Sequence, residues 1–171
     1  MSSTVAGKNS ALTREAQFQP GLVAALNELI AMCHNGEKGY RLAGDRVDSE
    51  ILRELFGAYA QQRGDFARLL QQEVARRGNT PESGGDLAGT LHRLWMRVKR
   101  AFSTDAAIVD ECLSGDAAAL EVYEEVRRGL PAGPVEDLVE RQYEAIRAAR
   151  DRLLALQATR RFDRNEKLDR S

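Results

Sequence analysis

The chain is short of the residues that staple, kink or decorate a fold. Two cysteines, four prolines and one tryptophan occur in 171 residues, and aromatics make up 6%. Two cysteines are too few for a disulfide framework. None is needed at this length, because such a chain can bury a sizeable core without staples or a structural metal. β-Branched residues are also scarce: 10 Val and 4 Ile stand against 24 Ala and 20 Leu. That excess of helix formers predicts an all-α chain of one domain. Charge of one sign is lacking too. With 25 Lys and Arg against 26 Asp and Glu, the formal net charge is −1. Nothing in that balance draws the whole molecule toward nucleic acid or an anionic membrane. No apolar run approaches the roughly 18 residues of a membrane-spanning helix. The opening MSSTVAGKNSALTREAQFQP carries no apolar segment of a secretory signal. The expected compartment is the cytoplasm, with Cys33 and Cys112 reduced. P-loop, GxGxxG, CxxC-pair, HExxH and GxSxG motifs are missing, as are repeats of solenoid period.

What is present is helical periodicity. Residues 1–19 are polar and read as a disordered tail, with Pro20 opening the first helix. Leu22, Leu26, Leu29, Ile30, Cys33, Tyr40 and Val47 recur at spacings of three, four and seven, which is one helix face. Asp48 or Ser49 caps a second helix, whose stripe is Leu52, Leu55/Phe56, Tyr59, Phe66, Leu69/Leu70 and Val74. It stops at Gly78, before the loop NTPESGG. A shorter helix over 86–102 carries Leu87, Leu91, Leu94/Trp95, Val98 and Phe102. Ser103 or Thr104 caps the next, with Ile108/Val109, Cys112, Ala119, Val122/Tyr123 and Val126, ending at Gly129. Pro131 and Pro134 bracket the turn into a last helix bearing Val135, Leu138/Val139, Ile146, Leu153 and Leu156. Residues 20–159 form the domain and 160–171 a charged tail. Short connections make antiparallel neighbours, and the long one lets two hairpins be joined by a crossover. The expected fold is therefore all-α, a ferritin-like four-helix bundle of two antiparallel hairpins with a short helix in the crossover.

Four segments carry a resemblance: LNELIAMCHNGEKGY, LFGAYAQQRGDFARLLQQEV, LAGTLHRLWMRVKRAF and ECLSGDAAALEVYEEV. The LAGxLHRxW and ECxxGDAA runs are the most specific. Over residues 22–157 the chain resembles a bacterial domain-of-unknown-function family of ferritin-like four-helix-bundle proteins. The resemblance implies the bundle fold and no assigned reaction. Members often place a His before an Asp in the last helix. Here Arg150 precedes Asp151, which weakens a ligand role at that position.

A ferritin-like di-metal site takes a Glu from each of two helices and Glu-x-x-His from each of the others. No Glu-x-x-His occurs, and His34 followed by Glu37 is an inverted, single copy. Polar residues nevertheless fall on or beside the inward stripes at mid-helix: Glu37, Gln62, Glu111, Asp116 and Gln142. With Tyr40, Tyr59 and Tyr123 as hydroxyl donors, and Arg63 or Arg150 as cation, these make a hydrogen-bonded core layer the first expectation. A degenerate carboxylate site for Fe, Mn or Zn from Glu37, Glu111 and Asp116 is the alternative. No catalytic residue and no cofactor are assigned. The acid-free span with His92, Arg93, Trp95, Arg97, Lys99 and Arg100 reads as the solvated face of the crossover, or as a weak anion or nucleic-acid site. Cys33 and Cys112 read as buried small hydrophobes. The expected role is non-catalytic, through binding or homo-oligomeric assembly, with stress physiology as a setting. A metal-binding oxidase or storage relative is the alternative.

Overall fold

The computed structural model describes the backbone of residues 3–83 and 104–168, with side chains described over 21–83 and 104–159. Helix α1 spans Ser3–Gly44, α2 Glu50–Arg76, α3 Asp105–Gly129 and α4 Pro134–Leu168. Both outer helices outrun the sequence expectation. α1 begins at Ser3 rather than at Pro20, and α4 continues past Thr159 to Leu168. The run ALTREAQ ahead of Pro20 is made mostly of helix formers. Proline inside a helix removes one backbone bond and crowds the carbonyl four residues back, at a cost of about 3 kcal/mol, which argued for a helix start at Pro20 against the propensity of the residues before it. The expected crossover helix, 86–102, lies outside the described residues.

The inner helix ends follow local chemistry. The Ser49 hydroxyl accepts from the Leu52 N–H at 3.5 Å, and the Thr104 hydroxyl accepts from Ala107 N–H at 3.3 Å, so each caps a helix start. α2 ends at Arg76, and two residues on the chain turns away at Gly78, whose φ of +73° is left-handed backbone that glycine adopts without strain. Pro134 opens α4, where its missing N–H costs nothing. The Asp105 carboxylate, at the start of α3, accepts the backbone N–H of Asp48 at 2.8 Å and of Ser49 at 3.0 Å. It thereby ties the α1–α2 turn to the beginning of α3. At the other end of the bundle, the loop after α2 folds back on α1: Glu82 N–H donates to Asn27 Oδ1 at 2.9 Å, and Gln71 Nε2 donates to the Glu82 carbonyl at 2.9 Å.

α1 packs most extensively on α2, and α3 on α4; α1 also lies along α3, while α2 touches α4 lightly. Two hairpins therefore face each other. Their apolar side chains form two separate clusters. One gathers Leu22 to Cys33 of α1, Ala67 to Val74 of α2, Ala119 to Val126 of α3, and Val139 and Ile146 of α4. The other gathers Tyr40 to Val47, Leu52 to Ala60, Ile108 to Leu113, and Ala149 and Leu153. Of the paired stripe positions Leu69/Leu70, Leu70 is buried and Leu69 is exposed. Among the described residues, no helix is long and apolar enough to cross a membrane.

Candidate functional site

Between the two clusters each hairpin contributes one buried charge, Arg63 from α2 and Asp116 from α3. Arg63 Nη2 donates to Asp116 Oδ1 at 2.9 Å, and the Tyr40 hydroxyl donates to Asp116 Oδ2 at 2.6 Å. Both carboxylate oxygens are thus engaged. Arg63 Nη1 donates to Gln62 Oε1 at 2.7 Å, and its guanidinium stands 5.7 Å from the centroid of the Tyr40 ring. Taking two charges out of water is costly, and good geometry with further hydrogen bonds is what offsets it. The local sequence makes room for this: a Cβ at Gly36 would meet the buried Arg63 stem at 3.2 Å. Tyr59 lies edge-on to Tyr40, with ring centroids 5.3 Å apart.

A second polar chain lies about two turns away along α1 and α3. The Tyr123 hydroxyl donates to Gln142 Oε1 at 2.8 Å and stands 3.0 Å from Cys33 Sγ. Gln142 Nε2 donates onward to the Phe66 carbonyl at 3.3 Å. Burial pushes the Cys33 thiol up to about 11, against the lowering effects of Tyr123 and Arg63. Burial likewise raises Cys112, with Asp116 and Glu111 adding to it. Burial raises the Tyr40 and Tyr123 hydroxyls well above the ordinary phenol range, with Asp116 adding to the first and Cys33 to the second. These groups hold their protons in the folded state more tightly than in the unfolded one. Their stabilisation is complete below the ordinary thiol and phenol values and is lost as pH rises through the folded ones. Melting temperature should therefore fall between pH 9 and 11, and Cys33→Ala should flatten that fall. A flat profile over that range, by circular dichroism, would contradict the burial assigned to these groups.

The expected polar residues thus divide. Tyr40, Gln62, Arg63 and Asp116 meet in one set, and Tyr123 and Gln142 in another. Arg63, not Arg150, is the cation opposite Asp116. Glu37 turns away from Asp116 to the edge of the α1–α2 seam: a Cβ at Gly64 would meet its carboxylate at 3.2 Å, Arg41 Nη2 donates to it at 2.7 Å and His34 Nδ1 lies 3.6 Å away. His34 sits at the α1–α2 interface, 3.3 Å from Gln71 Nε2. Glu111 lines a groove described below. Among the described residues, no three His, Cys, Asp or Glu side chains gather as a metal would require. The donors do not fit a ferritin-type di-metal centre. Asp116 is already neutralised by a buried guanidinium, which a second cation would have to oppose. His92, Arg93, Trp95, Arg97, Lys99 and Arg100 lie outside the described residues.

Sequence reasoning missed a cavity of about 240 Å³ between α1 and α3. Its walls are mainly apolar or small, including Met32, Gly39, Ala43, Ile108, Gly115 and Ala119, with Arg63 and Asp116 also on the lining. Asn35 lines it too, and its Oδ1 is buried without a hydrogen-bond partner. Gly39 and Gly115 are the signal that could have found it. A Cβ at either would meet nothing within 4 Å, so neither serves close helix packing.

With this geometry in hand, comparison with known proteins places the chain. A model for a domain of unknown function (DUF2383) matches residues 22–129. The chain belongs to the DUF2383 family. The matched span covers α1 from Leu22, all of α2 and all of α3, so every residue of the Arg63–Asp116–Tyr40 set lies within the DUF2383 region. The DUF2383 chain is also similar to the solved bacterioferritin-related protein from Bacteroides fragilis, described as a dodecameric thioferritin. The TM-score is 0.69 at 13% identity, covering 87% of this chain and 90% of that one. That likeness establishes the ferritin-like bundle fold. No curated protein matches the DUF2383 chain in sequence.

Proposed function

We propose that the protein acts by binding rather than by catalysis, and that the α1–α3 groove receives an apolar small molecule. The observation that carries this reading is the cavity itself, with apolar walls and two helical glycines facing open space. Glycine inside a helix costs about 0.5–1 kcal/mol relative to alanine. At Gly39 and Gly115 the structure offers room for the methyl group that would recover it. Keeping glycine there keeps the groove wide. Pockets for small molecules are typically concave and apolar, with few polar groups. The polar core supports the reading from the other side: Asp116 is engaged at both oxygens, and the thiols are held protonated. Homo-oligomeric assembly belongs to the same proposal, in keeping with the dodecamer described for the similar bundle protein.

The test is ethylbenzene, an apolar probe with no polar group. It should raise the melting temperature of the wild-type protein in a concentration-dependent way. Gly115→Leu, whose Cβ would meet no atom within 4 Å and whose side chain would occupy the groove, should fold and lose that response. Equal responses in the two proteins, or none in either, would remove the groove from the reading.

A further inference from the structure

We infer that His34, Gln71 and Glu82 form a pH-sensitive clasp, which fastens the chain leaving α2 to α1 while His34 is neutral and opens when His34 takes up a proton.

The clasp turns on one amide. Gln71 Nε2 lies 2.9 Å from the Glu82 carbonyl and 3.3 Å from His34 Nε2. A backbone carbonyl only accepts. It therefore fixes the Gln71 side chain with its nitrogen, not its oxygen, toward both partners. Both amide hydrogens are then engaged, one with each. The second bond exists only while His34 Nε2 is bare. The neutral imidazole accordingly carries its hydrogen on Nδ1, the nitrogen that stands 3.6 Å from Glu37 Oε2. Three elements meet through this amide: α1 by His34, α2 by Gln71, and the loop after α2 by Glu82.

Protonation removes the acceptor. An imidazolium donates from both nitrogens, which sets its Nε2–H against the Gln71 N–H. Turning the Gln71 amide over gives the imidazolium an oxygen to donate to. The same turn brings that oxygen against the Glu82 carbonyl, acceptor facing acceptor. No orientation of the amide serves a protonated His34 and the Glu82 carbonyl together. The loop then keeps the bond from Glu82 N–H to Asn27 Oδ1 and loses its carbonyl bond.

The surroundings accommodate the charge. On α1, Glu37 faces Nδ1 and is itself held by Arg41, and Lys38 lies one turn beyond His34. On α2, Asp65 and Arg68 precede Gln71 and pair with each other. The loop contributes Glu82. The His34 side chain is 19% exposed, so solvent can supply the proton. Histidine is the side chain that ordinarily changes charge between pH 5 and 8. The clasp is closed above that range and opens as pH falls through it. Neither His34 nor Gln71 lines the α1–α3 groove, so this inference is independent of what the groove binds.

Amide hydrogen exchange, followed by NMR on the full chain at pH 5 and pH 7.5, tests it. After correction for the intrinsic pH dependence of exchange, protection of the Glu82 N–H should be about fivefold lower at pH 5, the scale of one lost hydrogen bond. The Leu70 N–H, inside α2, should keep its protection. The Gln71 side-chain amide signals should shift together with the His34 ring. His34→Gln places an amide oxygen near the position of Nε2, where it accepts at either pH, so Glu82 protection in that variant should be equal at both. Unchanged Glu82 protection in the wild type, or an acid loss that persists in His34→Gln, overturns the clasp. So do Gln71 signals that stay still while His34 titrates. An equal loss at Leu70 would mean that the whole bundle loosens, and overturns it as well.

Discussion

Replacing Asp116 by Asn should lower the unfolding free energy by about 3–5 kcal/mol, the scale for breaking a buried ion pair by removing one partner. The substitution keeps the shape of the side chain and removes its charge. Arg63 is then left as a cation buried between two apolar clusters, with the neutral Gln62 amide oxygen as an acceptor. The amide nitrogen of Asn would also face the Tyr40 hydroxyl, which donates to the carboxylate in the wild type. Against a typical total stability of about 5–15 kcal/mol, such a loss is large enough to unfold much of the protein near its growth temperature. Urea unfolding at pH 7 measures it directly. The double variant Arg63→Met/Asp116→Leu removes both charges and should recover most of the loss, because well-packed apolar side chains can replace a buried pair. If Asp116→Asn costs less than about 1 kcal/mol, the pair behaves as an exposed one and the layer is wet.

Phe56→Ala should cost a similar amount, about 3–5 kcal/mol, through a different mechanism. Phe56 is fully buried, with its ring centroid 5.6 Å from that of Tyr40. Its Cβ comes within 3.7 Å of the Cβ position at Gly44, where α1 ends. Truncation leaves a cavity under the ring that presents its hydroxyl to Asp116. The two effects should therefore couple. In a double-mutant cycle with Tyr40→Phe, the combined loss should depart from additivity by about 0.5–3 kcal/mol, as for residues in contact. Additive losses would mean that the aromatic support and the ionic layer act independently.

Much of this was legible in the sequence, and for identifiable reasons. Helix faces repeat every three to four residues, so Leu26, Leu29, Ile30 and Cys33 announce their burial together. Ser49 and Thr104 sit where a hydroxyl can reach a free N–H, so the starts of α2 and α3 could be placed from local chemistry. The polar mid-helix residues were visible as breaks in the stripes. Which of them meet was not visible, because that depends on the relative register of helices far apart in the chain. Arg63 and Asp116 are 53 residues apart, and nothing local distinguishes Arg63 from Arg150 as the partner. Glu37 looked inward by spacing, yet its long side chain reaches Arg41 at the surface. The groove escaped notice because it is made of what glycine and alanine leave out, and the reach of α1 back to Ser3 because propensity and a proline pulled in opposite directions.

The division of the core into two clusters by one charged pair has a bearing on alignment. A core of alanine and leucine repeats itself every turn, so one hairpin could slide along the other by a turn and still find apolar surface. The Arg63–Asp116 contact is made once per molecule, and a slip of about 5.4 Å would leave both ions buried and unmatched. Only one of the near-equivalent slidings escapes that penalty. In a chain with so few aromatic shapes to interlock, the pair acts as the detent that lets an otherwise repetitive bundle settle into a single register.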